Sequence, residues 1–197
     1  MATLTPRGRA RRERLVEATA SLVAERGYHQ VGVVDIGAAA GVSGAAIYRH
    51  FAGKQDLLVA VIERAVDALM GRARTIVAEA PSPDAALDGL VRAHIDFALS
   101  ETALITVYDQ EAHNLDDAGR RRLRRQQRAY TELWIDVLDE LAPGRKRDAL
   151  ATAVHGVFGL LNSVADHRRQ LDDDEVALLL YAMARRCLDV ASSGPAS

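Results

Sequence analysis

Apolar residues recur at spacings of three and four from one end of this 197-residue chain to the other, and nowhere do apolar and polar residues alternate over six positions with β-branched enrichment. A period near 3.6 places such residues on one helix face, whereas a half-buried strand needs a period of two. The expected fold is therefore all-α, with about nine helices. Leu87, Leu90, Val91, His94, Ile95, Phe97 and Ala98 form one face; Leu123, Gln127, Tyr130, Trp134, Val137 and Leu141 a second; Leu150, Val154, Val157, Phe158, Leu161 and Val164 a third; and Val176, Leu179, Leu180, Met183, Cys187 and Leu188 a last one. Aromatics are only 5% of the chain, so the core is built mainly from Ala, Leu and Val. A chain of this length can bury a core without disulfides or metals. Its one cysteine, Cys187, lies beside Met183, Ala184 and Leu188 and reads as an inert core thiol.

Turn chemistry separates the helices. Ser82-Pro83-Asp84 supplies an N-cap, a proline at the first helical position and an early carboxylate. Asn114 to Gly119, Pro143-Gly144 and the acidic run 172–175 mark further breaks or starts. The longest uncharged run, Ala149 to Ala165, is 17 residues and includes His155 and Asn162. A membrane span needs about 20 mostly apolar residues, so this run reads as a buried helix and no membrane partner is expected. The opening MATLTPRGRARR has no apolar leader, and with a lone cysteine a cytoplasmic setting is expected.

The net charge of −2 conceals an asymmetry: residues 1–80 sum to +3 and residues 81–197 to −5. Arg7, Arg9, Arg11, Arg12 and Arg14 face only Glu13. Such an imbalance points to a polyanion at one end of the chain. A helix from about Gly8 to Arg26, closed by Gly27, precedes two very short helical pieces: Val33 to Ala40, capped by Gly32, and a second from Ser43 to about His50, with the Gly41 turn between them. Two helices joined by a short glycine-containing turn form a helix-turn-helix, whose second member enters the DNA major groove. Tyr48, Arg49, His50 and Lys54 follow within seven residues and can all reach phosphate oxygens. Cations at the starts of the first helix and of the helix beginning near Lys54 oppose the helix dipole. Docking onto a polyanion accounts for them; local stability does not.

The stretch Gly27-Tyr28, Asp35-Ile36, Ala40-Gly41-Val42-Ser43, Ile47-Tyr48-Arg49-His50-Phe51 and Lys54-Gln55-Asp56-Leu57-Leu58 resembles the signature of the TetR family of bacterial transcriptional regulators, over about residues 12–58. The resemblance implies a three-helix DNA-binding domain at 1–53 and an effector-binding and dimerisation domain at 54–191; the small residues of 192–197, with Gly194 and Pro195, read as a frayed tail. It implies contacts to DNA phosphates from Tyr48, His50 and Lys54, with Phe51 buried. The sequence departs from the usual pattern at Gly44, Ala45 and Ala46, where methyl groups suit thymine methyls but cannot read bases through paired hydrogen bonds. Discrimination would rest on Arg49, Ser43, an arginine arm including Arg9 and Arg11, and DNA shape. The expected partners are a duplex operator with pseudo-palindromic half-sites and a second copy of the chain, bound through helices of about 147–169 and 175–191, where Gly156 and Gly159 permit close approach.

His94, Phe97, Tyr108, Trp134, Phe158 and Asn162 are candidate linings for a small-molecule effector pocket. The stretch from Asp109 to Trp134 is similar to a segment of family members governing lipid and fatty-acid degradation, which points to an acyl-CoA or another apolar carboxylate. The arginines at 120, 121, 122, 124, 125 and 128 point mostly away from the Leu123 and Trp134 face, as a solvated helix side does. His94, Asp109, Glu111, His113 and His155 lack the paired Glu and His spacing of helical metal bundles, so no metal, no cofactor and no catalytic residue is expected. The reading is a ligand-responsive regulator, most simply a repressor. An all-α enzyme and a helical adaptor that binds no DNA are the alternatives.

Overall fold

The computed structural model describes residues 5–165 and 171–193. Among them are nine α-helices and no strand: α1 (Pro6–Arg26), α2 (Val33–Ala39), α3 (Gly44–Ile47), α4 (Lys54–Glu79), α5 (Pro83–Ser100), α6 (Thr102–Glu111), α7 (Asp117–Leu141), α8 (Arg147–Asn162) and α9 (Asp173–Ser193). Single 3₁₀ turns follow α1, α6 and α8 at Tyr28–Gln30, Ala112–Asn114 and Ser163–Ala165. Helix starts are met by side chains: Thr5 Oγ1 accepts the Gly8 N–H, Ser82 Oγ the Ala85 N–H, Asp116 Oδ1 the Gly119 N–H and Asp172 Oδ1 the Glu175 N–H. At Gly27, where α1 ends, φ is +79°, a region costly for any residue with a Cβ.

The chain divides into two compact units, 1–65 with 103–123, and 66–102 with 124–197. The first unit contains α1, α2 and α3, the start of α4, α6 and the first turns of α7. Its core holds Leu15, Val16, Ile36, Ile47, Phe51, Leu57 and Leu58, with Leu104, Ile105 and Val107 buried on α6. The second unit contains the rest of α4, α5, most of α7, α8 and α9. Leu87, Leu90, Val91, Trp134, Leu138, Leu150, Val154, Leu161, Ala184 and Leu188 are all nearly inaccessible there, and α9 packs along α5 and α8.

Three sequence expectations are corrected here. The run from Ala149 is not buried all round: Leu150, Val154, Val157 and Leu161 face inward, while Thr152, His155, Gly156 and Gly159 are exposed. Lack of charge marks a helix that need not face water, and this one leaves one side uncovered within the chain. Cys187 is likewise exposed rather than in the core. The apolar surface of α9 is wider than its packing contact: Val176, Leu180, Ala184 and Leu188 are buried, whereas Leu178, Leu179 and Met183 remain 69, 54 and 44% exposed. The helix also runs on to Ser193, through the first two residues of the expected tail. The remainder, 194–197, and the expected helix end at 166–169 lie outside the described residues.

Candidate nucleic-acid interface and buried cluster

In the first unit, α2 and α3 form the helix-turn-helix. The Asp35 carboxylate, in the first turn of α2, reaches back to accept the Gly32 N–H at 2.8 Å and so fixes the residue that precedes the helix. The turn closes through Gly41 N–H to Ala38 O (3.2 Å) and Val42 N–H to Gly37 O (2.9 Å), with Gly41 at φ +67°. Ile36 and Ile47, both inaccessible, hold the two helices to one core. α3 is a single turn. It stops at Ile47, and its bonding continues through His50 N–H and Phe51 N–H, both donated to Ile47 O.

This short helix fixes which side chains face out. Ser43, Ala45, Tyr48 and Arg49 are exposed, Tyr48 to 62%. Ala46 is turned into the core, 8% exposed, so only Ala45 offers a methyl group to a base edge and the expectation for Ala46 is corrected. Gly44 begins α3. His50 is half-buried, and its Nδ1 is buried without a hydrogen-bond partner. Lys54 begins α4 with its Nζ 4.1 Å above the Tyr28 ring. On α1, Arg9 is exposed and Arg11 half-buried. Arg12 lies over the Phe51 ring at 5.0 Å, which ties that arginine to the core instead of an arm.

Sequence reasoning missed a polar ring in the same unit. Glu111, 8% exposed, accepts the Tyr28 N–H at 2.8 Å and the Asn114 Nδ2–H at 2.6 Å. Gln55 Nε2 donates to Asn114 O at 2.8 Å, and the Tyr28 hydroxyl donates to Gln55 Oε1 at 3.0 Å. His29 Nε2 meets Asn114 Oδ1 at 3.1 Å. Burial, and then the Glu111 charge, push the Tyr28 phenol above its ordinary value, which keeps it a donor.

In the second unit, four of the six candidate pocket residues converge. The Tyr130 hydroxyl donates to His94 Nδ1 at 3.1 Å, and His94 Nε2–H donates to Asn162 Oδ1 at 3.0 Å. The Phe158 ring stacks on His94 and Tyr130, at 5.0 and 5.2 Å between centroids, and meets Trp134 edge-on at 5.2 Å. Burial holds the His94 pKa down at about 4, so the imidazole is neutral at physiological pH; burial likewise pushes Tyr130 up. The Trp134 Nε1–H faces the Tyr130 oxygen outside hydrogen-bond geometry and is left buried and unpartnered. Phe97 is buried in this unit without a ring contact to the cluster, and Tyr108 falls in the first unit. Tyr130 was not nominated, although its place one turn before Trp134 on the same face is the signal for it. An open groove of about 430 Å³ between α4 and α5 is lined by Gly71, Arg72, Thr75, Ile76, Ala93 and Asp96, none of them nominated.

Of the α7 arginines, Arg120 pairs with Asp117 and Arg122 with Glu63, while Arg121, Arg124, Arg125 and Arg128 are exposed, as a solvated side requires. Among the described residues no three imidazole, thiol or carboxylate side chains gather to hold a metal. Nor is any described helix long and apolar enough to cross a membrane.

The fold and the outward face of α3 define a helix-turn-helix DNA-binding transcriptional regulator. Residues 15–61 match the family described as bacterial regulatory proteins, tetR family, and residues 80–186, more than half the chain, match the tetracyclin repressor-like C-terminal domain. The chain belongs to the TetR family, a family of regulators rather than enzymes. It is 31% identical over 132 residues to the HTH-type transcriptional repressor KstR2 of Mycolicibacterium smegmatis, covering 66% of this chain and 64% of that relative, so just under two thirds of the relative's length is matched. The solved structure of the ketosteroid transcriptional regulator KstR2 of Mycobacterium tuberculosis superposes with a TM-score of 0.74 at 26% identity, covering 88% of this chain and 92% of that one. The regulator FadR from Bacillus subtilis, solved with stearoyl-CoA, shares the fold at a TM-score of 0.76 and 19% identity, covering 93% and 98%.

Proposed function

We infer that this regulator is a repressor that binds a pseudo-palindromic operator as a homodimer and is released by a small apolar or acyl-type effector. The observation that carries the DNA reading is the outward placement of Tyr48 and Arg49 just after α3, next to a cation at the start of α4. Arg49 reads a base edge with its paired donors, and Ala45 meets a thymine methyl. Tyr48, His50 and Lys54 hold phosphates, with Ser43, Gly44, Arg9 and Arg11 alongside. A recognition helix of one turn buries too little surface for tight binding, so two copies are required on adjacent turns of the duplex.

The second copy docks on α8 and α9. Leu178, Leu179 and Met183 are large, apolar and uncovered, and Gly156 and Gly159 have open space where a Cβ would stand. An isologous pairing of these helices would cover both features at once.

The effector site is the cluster of His94, Tyr130, Trp134, Phe158 and Asn162. Its unpartnered Trp134 N–H is a donor awaiting an acceptor, and a neutral imidazole offers hydrogen bonds but no counter-charge. The group that reaches it is therefore uncharged, such as a thioester or ring carbonyl, with any anionic end kept at the surface. The relative described as a ketosteroid regulator and the acyl-CoA held by a protein of the same fold support an apolar effector. The test is a fluorescence-anisotropy titration of DNA upstream of the gene against random duplex, from 50 to 200 mM salt. Preference for one upstream fragment, with affinity falling steeply as salt rises, supports the reading; equal affinity for random duplex refutes it.

A further inference from the structure

Tyr28, Gln55, Asn114 and Glu111 come from three distant stretches of chain, the loop after α1, the start of α4 and the end of α6 with its 3₁₀ turn, and their hydrogen bonds close into one ring. Glu111 is its only charged member and is buried. A buried carboxylate is retained only where donors satisfy it, and here both of its oxygens have one. Gly27, just before Tyr28, turns the chain toward the carboxylate at φ +79°, a conformation that side-chain-bearing residues rarely adopt. The product of this construction is a fixed Tyr28 ring, and that ring carries the Lys54 ammonium at 4.1 Å. A lysine left to itself spreads its ammonium over many rotamers, whereas one held on a ring face loses less freedom when it meets a phosphate.

We propose that Glu111 is a positioning residue for DNA binding: by clamping Tyr28 it presets Lys54 for its phosphate. This rests on the reading of Lys54 as a phosphate contact and adds to it a residue from outside the helix-turn-helix. Glu111 touches no DNA in this account and acts only through Tyr28 and Lys54.

The test is the salt dependence of binding, which counts phosphate contacts at about 0.9 in the slope of log affinity against log salt for each one. Lys54→Ala, Glu111→Ala and the double variant are titrated by anisotropy against a mixed-sequence duplex of about 40 base pairs between 50 and 200 mM salt. Lys54→Ala lowers the slope by about 0.9 per head, equivalent to about 3.5-fold less loss of affinity across that range. Glu111→Ala lowers it by the same amount, and the double variant goes no further. Glu111→Gln, whose amide oxygen still accepts the Tyr28 N–H, keeps most of the slope, a rescue that a general loss of stability would not produce. A wild-type slope in Glu111→Ala beside a lowered one in Lys54→Ala overturns the proposal, as does a double variant that sums the two losses. An unchanged slope in Lys54→Ala removes the phosphate contact itself, and the positioning role with it. If Glu111→Ala does not fold, Asn114→Ala breaks the ring from a half-buried position; it is expected to lower the slope, and an unchanged slope there also overturns the proposal.

Discussion

Acid should loosen the second unit through one residue. His94 is completely buried between Tyr130 and Asn162, with its pKa held down at about 4 from an ordinary 6.5. Because the folded value is the lower one, the unfolded chain binds more protons everywhere between the two. The stability that the neutral imidazole contributes is complete above about pH 6.5 and is lost as the pH falls through that window toward 4. The gap corresponds to about 3 kcal/mol in total, of which about 2 kcal/mol has gone by pH 5. Carboxylates also respond to acid, so the informative quantity is a difference between two proteins. His94→Leu cannot titrate and leaves the Tyr130 hydroxyl without its acceptor, costing about 1–3 kcal/mol at pH 7.5. Urea unfolding followed by circular dichroism at pH 7.5 and 5.0 should show the wild type's advantage shrinking by about 2 kcal/mol, or reversing. An advantage that stays constant within a few tenths would show that His94 is not a buried neutral group.

Other consequences are open to direct measurement. Gly89→Ala places a Cβ 2.7 Å from Ile76 Cγ2 and should destabilise by about 1–2 kcal/mol, whereas Gly71→Ala, on open helix surface, should stabilise by about 0.5–1 kcal/mol; urea melts giving both the same sign would contradict the α4 and α5 packing. Leu179→Glu buries two unpaired charges in the proposed dimer and should weaken it about 10³-fold, so light scattering at micromolar concentration should find monomers, and an intact dimer would move the interface elsewhere. Tyr48→Phe should weaken binding to every duplex alike, while Arg49→Ala should also lose about 1–3 kcal/mol of discrimination in competition titrations; unchanged discrimination would remove Arg49 from base reading.

The helix-turn-helix is legible because its parts are local: Gly32, Asp35, Gly41 and the spacing of Ile36 to Ile47 all fall in one stretch, 32–47. The Glu111 ring is not, since nothing about a glutamate near the end of a helix shows that its partner is a backbone N–H at Tyr28. Side-chain direction on α3 fell between these cases. Ala45 and Ala46 look equivalent in sequence, and only the one-turn length of the helix and the burial of Ile47 send Ala46 inward. On α9 the periodicity finds the apolar face but not how much of it the chain itself can cover, so Cys187 and Met183 read as core. The aromatic cluster was found through His94, Trp134 and Phe158, and Tyr130 was passed over because its hydroxyl partner lies on another helix.

In the proposed complex Arg49, just after α3, and Lys54 present a cationic face to duplex DNA twice, from a twofold pair. Native mass spectrometry of the protein mixed with a duplex carrying the upstream fragment tests it in one spectrum. An even number of chains per duplex is expected, two for a single operator, and a dimer in the absence of DNA. One chain per duplex, or a free monomer that forms no complex at low salt, would contradict it.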